Sequence, residues 1–193
     1  MELVDHEGRL TTPPIQWRPG DTVPAPLRFY NGFVLPMWVD YNHHMTEAAY
    51  LSAVGWASDA LFSYIGDDDA YRAAGHSFYT VETHIAYRRE AAQNDPIHVT
   101  TQVLGVDRKR LHISHEMFLG HHPSSSDAVD STHQMAPLLC TCEQMLVHVD
   151  TVVGRSAAMP DSMKAALDAI CVAHQDVSPA AQPPTVPRHF SLT

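Results

Sequence analysis

Apolar and polar positions along the chain follow two periods. Tyr50, Val54, Ala57, Leu61 and Ile65 recur at helical spacing and give one apolar face. This predicts one long helix over 47–65, with Thr46 as N-cap, Glu47 in the first turn and Gly66 as the stop before Asp67-Asp68-Asp69. At about 1.5 Å per residue such a helix reaches about 28 Å, enough to cover a curved sheet. A short second helix fits 70–74. After Gly75 the period becomes two. The strand 78–87 alternates, with Tyr79, Val81, Thr83, Ile85 and Tyr87 on one face. The strand 97–106 follows, then a charged hairpin connection, Asp107-Arg108-Lys109-Arg110. The strand 111–118 returns with Leu111, Ile113, His115 and Met117 on one face, and 138–149 is the last long strand. Upstream, 27–34 continued by 37–39 reads as a first strand ending at Asp40. Pro36 interrupts it and cannot donate to a ladder, which makes this strand an edge or a bulged one. Pro160 and Asp161 open a terminal helix over about 162–173.

The order is strand, long helix, four further antiparallel strands, terminal helix. Helices segregated to one face of an antiparallel sheet give an α+β domain. The predicted architecture is a hotdog: about five antiparallel strands wrapped around one long central helix, plus a C-terminal helix. Residues 1–26 carry Pro13, Pro14, Pro19, Pro24 and Pro26 and read as an N-terminal arm. Residues 27–174 form the domain, and 175–193, with Pro179, Pro183, Pro184 and Pro187, form a Pro-rich tail. The stretch 120–137 is a long polar loop rich in Ser, His and Asp, a length that is usually either functional or disordered. No internal repeat is present.

Composition narrows the partners. The 193 residues are 45% hydrophobic and 18% charged, ordinary for a globular chain. A net charge of −10 argues against nucleic acid or an anionic membrane, which need a basic face. The start of the chain lacks the basic-then-apolar pattern of a signal peptide, and no window is long and apolar enough to span a membrane. Cys140, Cys142 and Cys171 form no disulfide framework; the first two read as buried thiols on a core strand rather than a C-x-C metal site. The 14 histidines include the pairs His43-His44 and His121-His122, without a metal-ligand frame. No metal is expected, and the cytoplasm is the expected compartment.

The chemistry concentrates at Val39-Asp40-Tyr41-Asn42-His43-His44-Met45-Thr46-Glu47, just ahead of the long helix. First-turn N–H groups lack intrahelical partners, so those around Thr46 and Glu47 are available to a developing oxyanion. Asp40 is a carboxylate able to activate water or attack a carbonyl, and Asn42 and His44 are placed to orient a water or the substrate. A D-x-N segment ahead of a helix equally fits a plain turn in which the Asx side chains bond their own backbone.

Val39 to Met45, followed by Tyr50-Leu51, resembles the signature of hotdog-fold acyl-CoA thioesterases of the 4-hydroxybenzoyl-CoA type. Met37-Trp38-Val39-Asp40-Tyr41-Asn42 and Ser77-Phe78-Tyr79-Thr80-Val81-Glu82-Thr83-His84-Ile85 are similar to the betainyl-CoA thioesterases of carnitine breakdown. The resemblance runs from about residue 26 to 160. It implies Asp40 as the catalytic carboxylate, acting as general base or as nucleophile, and helix-start amides near Thr46 and Glu47 that polarise the carbonyl. It implies hydrolysis of a small acyl-CoA, betainyl-CoA to glycine betaine and CoA, with no cofactor beyond the CoA of substrate and product. A homodimer or dimer of dimers follows from the family, with Asp40 facing the strand 78–87 or the hairpin near Arg108 of a neighbour. One departure is His43, where the family usually carries Gly.

The betainyl cation is expected to meet aromatic faces and a carboxylate, for which Trp38, Tyr79 and Glu82 are the candidates beside Trp56 and Phe78. Arg88, Arg89, Arg108, Lys109 and Arg110 are the basic clusters suited to CoA phosphates. Two rival functions stand beside hydrolysis. R-specific enoyl-CoA hydration uses a D-x-N-P-x-H pattern; here Asp40-Tyr41-Asn42-His43-His44 lacks the Pro and is one residue short. A non-catalytic acyl-CoA-binding hotdog protein is the other.

Overall fold

The structure, a computed structural model, describes residues 4–120 and 136–178. The expected loop falls largely on 121–135 and the tail largely on 179–193, both outside the described residues. Its elements are β1 (Leu27–Phe33), α1 (Glu47–Ile65), α2 (Asp69–Ala73), β2 (His76–Tyr87), β3 (Pro96–Val106), β4 (Arg110–Leu119), β5 (Leu138–Asp150), β6 (Arg155–Ser156) and α3 (Asp161–Ala173). The sheet runs β1-β3-β4-β5-β2, each neighbouring pair antiparallel, with the short β6 added to β5.

Helix α1 begins at the expected residue because Thr46 caps it, its hydroxyl accepting from Ala49 N. It stops at Gly66, whose φ of 98° lets its N–H reach the carbonyls of Phe62 and Ser63. The expected face is buried: Tyr50, Val54, Ala57, Leu61 and Ile65 all pack inward. Ala49, Ala53 and Ala60 widen that face and allow close approach to the sheet. The core divides along the helix into two clusters, one around Tyr30, Val54 and Met117, the other around Leu61, Leu111 and Leu167.

Two expectations about strands are corrected. The first strand does not run to Asp40: it ends at Phe33, and Pro36–Trp38 form a 3-10 turn. Proline fixes φ and carries no N–H, so the ladder cannot continue through it. Only an isolated bridge, Val39 to Met45, remains beyond. The even alternation of β2 also fails. Its register on β5 shifts between Thr80 and Glu82, so Val81 is a bulge. Thr83, Ile85 and Tyr87 pair with Gln144, Cys142 and Cys140, on the helix-facing side of β5, whereas Tyr79 and Glu82 pair with Val147 and Met145 on the opposite face.

The arm is docked along α1. Val4 joins the core, Tyr30 Oη donates to Gly8 O at 2.9 Å, Trp56 Nε1 to Glu7 O at 3.2 Å, and Trp17 N to Tyr64 O at 2.8 Å. The Arg9 guanidinium lies 5.1 Å from the Trp56 ring centroid. Gly8 makes this possible. Its φ is +91°, and a Cβ there would lie 2.4 Å from Trp38 Cζ2. Gly8→Ala is therefore expected to undock the arm at a cost of roughly 1–3 kcal/mol. Limited trypsin cleavage after Arg9 should then accelerate at least about tenfold; unchanged cleavage would contradict the docking.

Candidate active site

The segment after the 3-10 turn folds back on itself. His43 N donates to Asp40 O at 3.0 Å and Asp40 N to His44 O at 3.1 Å. The Asp40 carboxylate accepts from Asn42 N at 2.8 Å and from Asn42 Nδ2 at 3.4 Å. Asp40 and Asn42 thus form the Asx turn that the sequence also allowed, and that turn aims and orients the carboxylate. Beyond it, Met45 N donates to Ala91 O at 2.7 Å and Thr46 N to Trp38 O at 2.8 Å. These bonds anchor the turn between the end of the 3-10 segment and the chain leaving β2, and they deliver Thr46 to the start of α1.

His43 occupies the left-handed region with φ 63°. This is the conformation a glycine takes freely, and the turn keeps it with a side chain present at a cost of about 1–2 kcal/mol. His43→Gly removes that cost but frees the unfolded chain by about 0.4–1 kcal/mol. Its unfolding free energy, measured by urea titration, is expected to change by less than about 1 kcal/mol; a larger loss would mean that the imidazole itself holds the turn.

A cleft of about 800 Å³ opens beside this turn, between the start of α1 and the end of β2, and extends to Leu119 and Leu139. Of the sequence candidates, His44, Glu47, Arg88 and Arg89 line it. His44 Nδ1 lies 2.9 Å from Glu90 Oε2. Asp40 is not itself in the cleft lining; its backbone N–H donates to the carbonyl of His44, which is. Asn42 is exposed on the turn, and Thr46 is spent on the cap. The N–H groups of Glu47 and Ala48 precede the helix's own hydrogen bonding, and Glu47 lines the cleft.

Other candidates lie elsewhere. Trp38 is 7% exposed and faces Gly8 and the arm. Within one chain Tyr79 and Glu82 sit on the sheet face turned away from α1, a consequence of the Val81 bulge. Arg108, Lys109 and Arg110 line a separate hollow of about 430 Å³ with Ser156. Arg110 is held by Asp107 there, Nε to Oδ2 at 2.7 Å. Among the described residues, no group of three or more His, Cys, Asp or Glu side chains is arranged to hold a metal. No helix among them is long and apolar enough to cross a membrane.

The sequence candidates omitted the aromatic wall of the cleft. Tyr50 and Tyr87 meet edge to face, with centroids 5.4 Å apart. Tyr50 Oη donates to Arg89 O at 2.9 Å, and Tyr87 Oη donates to Glu47 O at 3.2 Å. Burial pushes the Tyr50 phenol up to about 12, and burial with the Glu47 charge raises that of Tyr87, so both rings stay neutral. In the sequence Tyr50 was indistinguishable from helix core and Tyr87 from the end of a strand. The signal available was only that Tyr50 closes the quoted signature and that Tyr87 directly precedes Arg88.

The chain matches the family model of the thioesterase-like superfamily over residues 34–167. A betainyl-CoA thioesterase of Pseudomonas aeruginosa is 41% identical over 150 residues, covering 77% of this chain and 86% of that protein. An L-carnitine dehydrogenase/betainyl-CoA thioesterase of Rhizobium meliloti is 39% identical over 178 residues, covering 89% of this chain; the chain spans 32% of that longer protein. The corresponding protein of Agrobacterium fabrum is 43% identical over 143 residues, covering 74% of this chain; the chain spans 27% of that protein. Among solved structures, a Pseudomonas putida KT2440 protein is 31% identical with a TM-score of 0.63, covering 89% of this chain and 99% of that one. A Staphylococcus aureus protein solved with CoA shares the fold at 19% identity and a TM-score of 0.66, covering 90% and 100%. A family model that spans the 3-10 turn, α1 and every strand but β1, together with these relatives, places the chain plainly: it belongs to the thioesterase-like superfamily.

Proposed function

We propose that the protein hydrolyses acyl-CoA thioesters, with betainyl-CoA as the substrate and glycine betaine and CoA as products. The observation that carries this is that the Asx turn holding the Asp40 carboxylate leads through His44 and Glu47, which line one cleft, into the start of α1, whose first amides lie outside the helix's own hydrogen bonds. The name borne by the 41% identical relative supports the substrate. Acting as general base, Asp40 takes a proton from water as the water oxygen bonds to the carbonyl carbon. The Glu47 and Ala48 N–H groups hold the oxyanion, which collapses and expels CoA thiolate. The protonated carboxyl then returns its proton to the thiolate. Acting as nucleophile, Asp40 would form a mixed anhydride, expel the thiolate and be freed by water. No cofactor enters either route. A single turnover in oxygen-18 water followed by a second in ordinary water separates the two, because only the anhydride route exchanges label into Asp40. His44 and Asn42 orient the attacking group, and Arg88 with Arg89 meets CoA phosphate, with the Arg108 hollow as the second phosphate contact.

The active assembly is read as a dimer built along β2. This strand ends the sheet order, is twelve residues long, and exposes Tyr79 and Val81. A long apolar edge of this kind is a pairing surface. Pairing along it would bring Tyr79 and Glu82 of one copy toward the Asp40 turn of the other, with a dimer of dimers as the further state. Sedimentation at micromolar concentration should give at least twice the 21.4 kDa chain mass; a monomer would sink the arrangement. Buried Cys140 and Cys142, both free thiols, suit a reducing cytoplasm.

The deciding experiment is thiol release from betainyl-CoA, acetyl-CoA and a long-chain ester. Release from none of them would overturn the reading.

A further inference from the structure

We infer that Tyr87, backed by Tyr50 and the carboxylates of Glu47 and Glu90, forms the cation-recognising wall of the acyl site and sets its preference for a quaternary ammonium group. The inference rests on the thioesterase reading and names residues for it. In a betainyl thioester a single methylene separates the carbonyl from the trimethylammonium. Any group that reads the cation must therefore stand within about 6 Å of it and, through it, close to the oxyanion site. That site is the first turn of α1, and Tyr87 Oη donates to Glu47 O in that turn at 3.2 Å.

The other aromatic candidates are already engaged. Trp38 is sealed under Gly8, and Trp56 donates to Glu7 O and carries Arg9 over its face. Phe78 stacks on Phe62 with centroids 5.3 Å apart, and Tyr79 of the same chain lies on the far side of the sheet, so that it could reach this wall only from a second copy. Tyr87 is 48% exposed and lines the cleft. Its edge-to-face packing on Tyr50 and the hydrogen bonds of both phenols fix the ring without closing it off. A rigid neutral ring offers its face to a cation at little entropic cost.

The charges around the cleft are mixed. The positive end of α1 and the guanidinium groups of Arg88 and Arg89 oppose a bound cation. Glu47 on the first turn and Glu90 beside His44 oppose them in turn. Charge alone therefore does not select the substrate, and the aromatic face supplies the discrimination.

The test compares kcat/KM for betainyl-CoA with that for 3,3-dimethylbutanoyl-CoA, a neutral ester of the same shape. In the unaltered protein the ratio is expected to exceed about 10, and Tyr87→Leu should lower it about tenfold, as expected for loss of one desolvated cation–π contact. Tyr87→Phe, which keeps the face and loses only the hydroxyl, should hold the ratio within about threefold. Inhibition of the unaltered protein by choline against 3,3-dimethylbutan-1-ol gives the same comparison without a variant, with choline the stronger inhibitor. A ratio near one in the unaltered protein, or a ratio that Tyr87→Leu leaves unchanged, overturns the inference while hydrolysis stands. Absence of thiol release from every ester overturns the thioesterase reading, and the inference with it.

Discussion

Asp40→Asn is expected to lower kcat for thiol release by at least about a thousandfold while leaving the fold intact. The turn explains why the two effects separate. Asp40 accepts from Asn42 N through one carboxylate oxygen, and an asparagine carbonyl oxygen can accept the same bond. The backbone bonds between Asp40, His43 and His44 do not involve the side chain at all. The unfolding free energy should therefore move by less than about 1 kcal/mol, the ordinary range for a preserved turn bond. An amide, however, neither accepts a proton from water at neutral pH nor attacks a thioester. Binding of CoA to the variant, measured by calorimetry, should persist because the proposed phosphate contacts, Arg88 and Arg89 with the Arg108 hollow, are elsewhere. A variant turning over within tenfold of the parent would remove Asp40 from the chemistry and reduce the segment to a structural turn.

The second large effect is acid destabilisation centred on His115. This residue is fully buried between α1 and the sheet. Its Nδ1 lies 3.0 Å from Thr101 Oγ1 and its Nε2 3.0 Å from Ser58 Oγ, which in turn donates to Gln144 Oε1 at 3.1 Å. The chain of bonds is satisfied with a neutral ring: Thr101 donates to Nδ1, and Nε2–H donates to Ser58. Burial lowers the imidazole from its ordinary 6.5 to about 4. The folded state thus binds fewer protons than the unfolded one. The stability His115 contributes is fully present above pH 6.5 and is lost as the pH falls from there to about 4, by roughly 3 kcal/mol. Burial lowers His148 and His174 as well, so both add loss in the same direction below pH 6.5. Asp59 and Asp67, raised by burial, act with the opposite sign as they protonate. Urea unfolding from pH 7.5 to 4.5 should show a steady fall that begins below pH 6.5. His115→Asn, which cannot titrate, should flatten the fall. Stability independent of pH across that interval would contradict the buried neutral ring.

How much of this was legible in the chain depends on the range of the interactions involved. Helix α1 could be read almost to the residue because its determinants are local: Thr46 and Gly66 at its ends and an apolar face at 3.6-residue spacing. The strands β3, β4 and β5 were likewise visible within a residue or two. The bulge at Val81 was not, since it exists only relative to the partner strand β5, and it moved Tyr79 and Glu82 to the other face. The arm looked like a loose proline-rich lead-in. Its docking depends on Gly8 meeting Trp38, thirty residues away along the chain. The early stop of β1 was signalled by Pro36, yet the 3-10 turn that replaced the strand was not.

The active-site candidates divide in the same way. The sequence by itself determined the order of elements, the central helix with its caps, and the polar segment from Asp40 to Glu47, because short-range hydrogen bonding and side-chain periodicity dictate each of them. Only the tertiary structure decided which side chains share the cleft. It sealed Trp38 beneath the arm, set the Arg108 hairpin at a separate hollow, and brought Tyr87 from the end of β2 to the first turn of α1. The physical reason is that an aromatic residue reads alike in core or cleft, and its role is fixed by strand register and chain crossing, which no local pattern encodes.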